Sequence, residues 1–287
     1  MPIMLLVCTM IGLLVASSMG FSNVRRRILR RFRQADLLIR GTVAVSLVLV
    51  LSSFVSGVWF RTSSIADLLL CGFLMVSVAV GTLVFERFRI LSQPAISRRT
   101  FLVVAAHPGD AIYGAVATLA KLRDRHHEIH VFTLTNGGSD DDVEMLPDKC
   151  GSWAQFVGCS SLTLGNVPAE QVVTRREYIR ALLREQLEKY RPDVILTHSV
   201  HDTNQERAML ADLVMQVSTA RQAVYGFQSP TSDGNFSSER GCDVEAYLLM
   251  KDYVLRDYHD TGDPWDHGVR KESFEIIRAG FSTSLEW

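Results

Sequence analysis

Three uncharged apolar stretches fill most of the first 85 residues, and from Thr100 onward the pattern changes to short β-rich runs alternating with helical ones. The first stretch runs from Met1 to Gly20 with its apolar core at 3–19. The second, Gly41 to Phe60, lies between Arg40 and Arg61, and the third, Leu68 to Phe85, lies between Asp67 and Glu86. Crossing a bilayer takes roughly 17–25 apolar residues, and all three runs reach that length. They also leave no polar face to meet water. The sequence therefore predicts a membrane region over 1–99, with transmembrane helices at about 3–19, 41–60 and 68–85. A cleaved signal peptide is the alternative for the first run, but its basic cluster follows the apolar core, where a signal peptide has it in front.

The arginines orient these spans. Arg25, Arg26, Arg27, Arg30, Arg31, Arg33 and Arg40 fall between the first two, only Arg61 falls between the second and third, and Arg87, Arg89, Arg98 and Arg99 follow the third. The positive-inside bias then puts the N-terminus outside and everything after residue 86 in the cytoplasm. The expectation is a multi-pass protein of the cell membrane with a cytoplasmic C-terminal domain at 100–287.

That domain reads as α/β. Phe101 to Ala106, Ile129 to Thr135, Ser161 to Leu164 and Asp193 to Thr197 are strand-like, with helical segments near Tyr113 to Arg125, Thr174 to Tyr190 and Glu206 to Val217. Such alternation predicts a Rossmann-like, mostly parallel sheet with helices on both faces. The last segment, His267 to Gly280, is read as a closing helix.

Charge and cysteine content remove some functional classes. The net charge of −1 averages +9 over residues 1–99, from twelve Arg, no Lys and three acidic residues, and −10 over the remaining 188. No basic field on the C-terminal domain argues for nucleic acid. Five cysteines with no CxxC pair argue against a disulfide framework or a cysteine zinc site. The acidic run at 139–142 lacks EF-hand spacing and reads as a solvated loop, His126-His127 reads as a helix C-terminal cap, and Asp257-Tyr258-His259-Asp260 with Asp263-Pro264-Trp265-Asp266-His267 reads as an exposed loop before the last helix, with the rim of a crevice as the alternative.

Two strand ends carry chemistry. Ala106-His107-Pro108-Gly109-Asp110-Ala111 follows the first strand, and Thr197-His198-Ser199-Val200-His201-Asp202-Thr203-Asn204-Gln205-Glu206-Arg207 follows the fourth. In a parallel α/β sheet, ligands gather at the carboxyl ends of the strands. His and Asp are zinc ligands by type, and a catalytic zinc site needs three protein ligands and an open position.

At these residues the sequence resembles the PIG-L/LmbE family of zinc-dependent N-acetylglucosaminide deacetylases. VVAAHPGDAIYGAVATLAKL resembles the family's first motif, and PDVILTHSVHDTNQERA resembles its second. Weaker echoes occur in YGFQSPTSDGNF and in the closing segment with Glu272-Ser273-Phe274. The resemblance implies that His107 and Asp110 sit at zinc-ligand positions and that Gly109 stands where the family has its general base. It also implies that Glu206 replaces an Asp, that Arg207 stands at the third zinc ligand's position or that this His is deleted, and that Asn204 takes the place of an auxiliary His.

Two readings follow. In the first, zinc on His107, Asp110 and a recruited His198 or His201, with Glu206 as substitute base, would deacetylate an N-acetyl sugar, lipid-linked or free, at the membrane face. In the second, the fold is kept as a membrane-associated binding or scaffolding module. Zinc is then weak or absent, and a pocket of Asp202, Asn204 and Arg207 takes an anionic small molecule. A positioned base contributes about 10²- to 10⁴-fold in rate, and Gly109 has no side chain to offer one. The residues alone favour the second reading.

Overall fold

The computed structural model describes residues 94–136, 146–258 and 272–279, two helices between residues 20 and 59, and scattered positions elsewhere from 10 to 90. The chain divides into two compact units, Met1–Leu91 and Ser92–Trp287.

In the first unit, α1 (Ser22–Arg31) and α2 (Ala35–Trp59) flank Phe32, which pairs with Arg89 in an isolated bridge. Leu29, Phe32 and Ala35 are buried there. Among the described residues no helix is long and apolar enough to cross a membrane. The three expected spans thus gain no support from the helices described. Most of 3–19 and 68–85 lies outside the described residues, whereas α2 overlaps the second expected span. Asp36 lies in the first turn of α2, and Arg40 and a buried Ser46 lie further along it.

The second unit is built on a sheet in the order β3-β2-β1-β4-β5-β7-β6. Its strands are β1 (Thr100–Ala105), β2 (Glu128–Thr133), β3 (Ser161–Leu164), β4 (Val194–His198), β5 (Ala223–Phe227), β6 (Arg240–Cys242) and β7 (Glu272–Arg278). β1 to β5 run parallel, and β7 and β6 add an antiparallel edge. Continuous apolar runs such as TFLVVA and VILTH suit strands covered on both faces, and both are buried along nearly their whole length.

Helices cover the two faces. α5 (Arg176–Tyr190) and α6 (Gln205–Val217) place Ile179, Leu183, Leu210 and Leu213 against Leu102, Val104, Ile195 and Val224 of the sheet. α3 (Pro108–Asp124), α4 (Leu146–Val157) and α7 (Leu248–Tyr258) pack together, and α3 also meets β1, β2 and β7. α3 starts five residues earlier than the sequence pattern indicates. Pro108 opens it, at a position where a missing N–H costs nothing. Gly109 and Asp110 therefore sit in its first turn rather than in a loop.

One expectation is corrected. Residues 272–278 of the closing segment form β7, with Phe274 registered to Phe227 of β5 and to Arg240 of β6. Seven residues with apolar groups at Phe274, Ile276 and Ile277 fit either period, and antiparallel pairing decides. His126 adopts a left-handed backbone, φ 68°, just past α3. The His126 and His127 N–H groups donate to the Arg123 and Leu122 carbonyls at 2.9 and 3.1 Å, so the pair closes the helix through its backbone, while the His127 ring is buried and its Nδ1 accepts the Arg99 N–H at 3.1 Å at the entry to β1.

A buried ion pair locks α3 to the antiparallel edge. Glu272 accepts the backbone N–H of Ala117 at 3.0 Å and of Thr118 at 2.7 Å, in mid-helix. Lys251 of α7 donates to Glu272 at 2.8 Å and to the Tyr113 carbonyl at 2.6 Å. Tyr113 is the residue whose carbonyl lies one helical turn before Ala117, so lysine and carboxylate insert into the same turn of α3.

Candidate active site

β1 and β4 are hydrogen-bonded neighbours, with Val103 opposite Leu196. The reversal of strand order between them opens a crevice at their carboxyl ends. Both motifs leave the sheet there. The Ala106 N–H donates to Nε2 of His198 at 3.0 Å, which ties the two strand ends together.

His107 is extended, φ −125° and ψ 154°, just before α3. Its Nδ1 lies 2.9 Å from the Thr135 hydroxyl beyond β2, and its Nε2 lies 2.9 Å from Oε2 of Glu206 in the first turn of α6. Asp110 is sealed in, its side chain 3% exposed. Oδ2 accepts the His107 N–H at 3.0 Å, and Oδ1 accepts from the Arg207 guanidinium at 2.7 Å. A second guanidinium nitrogen of Arg207 donates to the Thr231 hydroxyl at 2.6 Å.

Asn204 caps α6. Its Oδ1 accepts the N–H groups of Glu206 and Arg207 at 2.9 and 3.2 Å, which satisfies amides that have no partner within the helix. Asp202 accepts from the Asn204 N–H at 2.9 Å, from the Thr231 hydroxyl at 2.6 Å and from the Ser229 hydroxyl. His201 is exposed; its backbone N–H donates to Ser199 and its carbonyl accepts from Asp233.

The structure thus gathers His107, Asp110, His198, Asp202, Asn204, Glu206 and Arg207 into one place and leaves the His201 side chain at the surface. The sequence gives no role to Thr135, Ser229 and Thr231, and Tyr258, read as part of an exposed loop, ends α7 beside the site. A Cβ on Gly109 would lie 3.2 Å from Cε1 of Tyr258, the last residue of α7, so a phenol ring stands against the position where the family has its base. Burial pushes the Tyr258 hydroxyl well above its ordinary range, with Cys150 and Asp110 adding to the shift, so it stays protonated. The remaining residues of the rim segment, 259–271, and the acidic run at 139–142 lie outside the described residues.

His198 is fully buried at the end of β4 against the Phe227 ring, 4.8 Å between centroids. Its Nε2 accepts a hydrogen bond, so the ring proton is on Nδ1, which is buried without a partner among the described residues. Burial lowers its pKa from the ordinary 6.5 to about 4; Arg207 assists and Asp110 opposes. Between these two values the unfolded chain binds a proton that the folded site refuses. Stability should therefore fall as pH drops from about 6.5 to about 4 and change no further on this account below that. The effect is on the order of 3 kcal/mol. Denaturant unfolding at several pH values, compared with His198→Gln, checks it: equal slopes would refute the assignment.

These residues do not fit a zinc ion. Three protein ligands are needed, and among the described residues no group of three or more His, Cys, Asp or Glu side chains is arranged to hold a metal. Glu206 and Thr135 take the two nitrogens of His107, His198 offers its lone pair to a backbone amide, and a fixed cation sits on Asp110. Of the expected ligands, His107, Asp110 and His198 thus have their donor atoms engaged by other partners, and the His201 side chain lies at the surface. The anion-binding expectation for Arg207 also weakens, since its charge is already met by Asp110.

Residues 102–218 match the family model described as GlcNAc-PI de-N-acetylase, PIG-L. Both motifs fall inside that stretch, and it is there that the chain matches the PIG-L family. Two solved structures share the fold. A conserved protein from Thermus thermophilus is 16% identical, with a TM-score of 0.56, over 66% of this chain and 98% of that one. The N,N'-diacetylchitobiose deacetylase of Pyrococcus horikoshii, solved with an inhibitor, is also 16% identical, with a TM-score of 0.55, over 66% of this chain and 87% of that one. No curated protein sequence matches the chain. The PIG-L domain thus keeps the fold and the meeting of the two motifs, while Gly109 and Arg207 change what stands at the site.

Proposed function

We propose that this PIG-L-family chain is a membrane-associated binding or scaffolding module that does not hydrolyse N-acetyl groups. The carrying observation is the Tyr258 ring packed over Gly109, 3.2 Å from where a side chain would begin. No base can act from that position, and Glu206, the substitute base the sequence offers, is held by His107 at 2.9 Å. A positioned base supplies about 10²- to 10⁴-fold in rate. The expected result is that the full chain and its His107→Ala variant hydrolyse N-acetylglucosamine conjugates at the same background rate. A wild-type rate tenfold or more above the variant's would overturn the reading.

Membrane association is supported by where apolar side chains meet the surroundings. Among the described residues, twelve of the sixteen exposed large hydrophobics belong to the first unit, including Leu37, Val45, Leu47, Val48 and Leu51 of α2. Exposed apolar surface of this extent marks a lipid or partner contact. With the arginine distribution, this supports a multi-pass protein of the cell membrane whose 92–287 unit is cytoplasmic. Release of the chain into the supernatant by an alkaline carbonate wash would argue against it.

A further inference from the structure

We infer that the Arg207 guanidinium is a built-in cation that neutralises the family's metal position from within and keeps divalent metals out. The inference rests on the non-hydrolytic reading and adds what replaced the metal.

Two carboxylates are buried here, Asp110 at 5% and Asp202 at 7% residue exposure. Buried carboxylates need a counter-charge or a full set of donors. Arg207 serves both. It donates directly to Asp110 at 2.7 Å, and its other arm donates to the Thr231 hydroxyl at 2.6 Å. That hydroxyl has one proton, which goes to Asp202 at 2.6 Å, so it must accept from Arg207 through a lone pair. The direction of the chain guanidinium, hydroxyl, carboxylate is therefore fixed, and a single cation reaches Asp110 on α3 and Asp202 after β4. Donors from Ser229 and Asn204 complete Asp202.

A divalent ion would have to displace the guanidinium from Asp110 and then lie within a few ångströms of a charge that no ordinary pH removes. The Arg207 side chain is 11% exposed, so solvent screens that repulsion little. Its Asp110 contact sits 0.5 to 0.7 Å beyond zinc–oxygen bonding distance, about 2.0–2.2 Å. The guanidinium therefore holds the carboxylate from nearly the place an ion would occupy.

The test uses the full chain, stripped with EDTA and then given equimolar Zn²⁺ or Co²⁺, and follows retained metal, the visible Co²⁺ spectrum and the thermal midpoint. Wild type should retain no stoichiometric metal and show no shift. Arg207→Lys, which keeps the charge, should behave the same. Arg207→His should take up about one equivalent, bind at least about 100-fold more tightly than wild type and melt higher with metal. Should Arg207→His fail to fold, Arg207→Cys also exchanges the charge for a third ligand, and its midpoint should rise with added Zn²⁺. Wild type holding one equivalent that His107→Ala loses would overturn the inference, as would a folded Arg207→Cys whose midpoint is indifferent to metal. Metal bound without hydrolysis sinks this inference and spares the non-hydrolytic reading. Hydrolysis without metal does the reverse.

Discussion

Lys251→Met is expected to destabilise the 92–287 unit by about 3–5 kcal/mol, the usual cost of stripping one partner from a buried ion pair. The Lys251 and Glu272 side chains are 4% and 1% exposed, so water cannot replace the lost ammonium. The same change removes the donor to the Tyr113 carbonyl, inside the turn of α3 where Glu272 takes two amides. A domain of this size is stable by only about 5–15 kcal/mol. The variant should therefore unfold at a much lower urea concentration. Adding Glu272→Gln should recover part of the loss, because the uncompensated charge goes while one acceptor for Ala117 or Thr118 stays. Lys251→Met, Glu272→Leu should recover little, since both amides then lose their acceptor. A Lys251→Met variant within about 1 kcal/mol of wild type would show that Glu272 is satisfied by α3 alone.

What was legible in the sequence was local. The runs FLVVAA and DVILT are apolar and β-branched over too short a length for a helix, and they became β1 and β4 with boundaries shifted by a residue. The expectation that His107 and Asp110 would meet the second motif followed from strand ends alone, and it holds because β1 and β4 are neighbours. What was not legible depends on partners distant along the chain. Tyr258 lies 149 positions beyond Gly109, and its polar surroundings read as an exposed loop rather than as a ring packed into the missing side chain's space. Glu272 reads as part of a closing helix, yet from β7 it accepts amides in the middle of α3. The closing segment misled for the same reason: its periodicity is ambiguous, and only pairing with β5 and β6 makes it a strand. Arg207 was recognised as a misfit, but its meaning changed. Read alone it suggests a ligand's counter-charge, whereas the structure supplies that counter-charge from Asp110.

Restoring the family's residues should restore chemistry only if Tyr258 gives way. Gly109→Asp alone places a Cβ 3.2 Å from the Tyr258 ring and a second carboxylate beside buried Asp110, so it should destabilise the fold and leave hydrolysis at background. Arg207→His alone should gain metal without a base to use it. Combined, Gly109→Asp and Arg207→His provide both parts, and in the presence of zinc the pair should hydrolyse N-acetylglucosamine conjugates at least about 10²-fold faster than Arg207→His, the lower bound for a positioned base. Removing the ring as well, with Tyr258→Ala, separates the two obstacles. If the double variant is inert and the triple variant active, the phenol is what keeps the base position closed. If the triple variant binds zinc and remains inert, the loss extends beyond Gly109, Arg207 and Tyr258, and the crevice has been remade for a ligand that the deacetylase residues do not recognise.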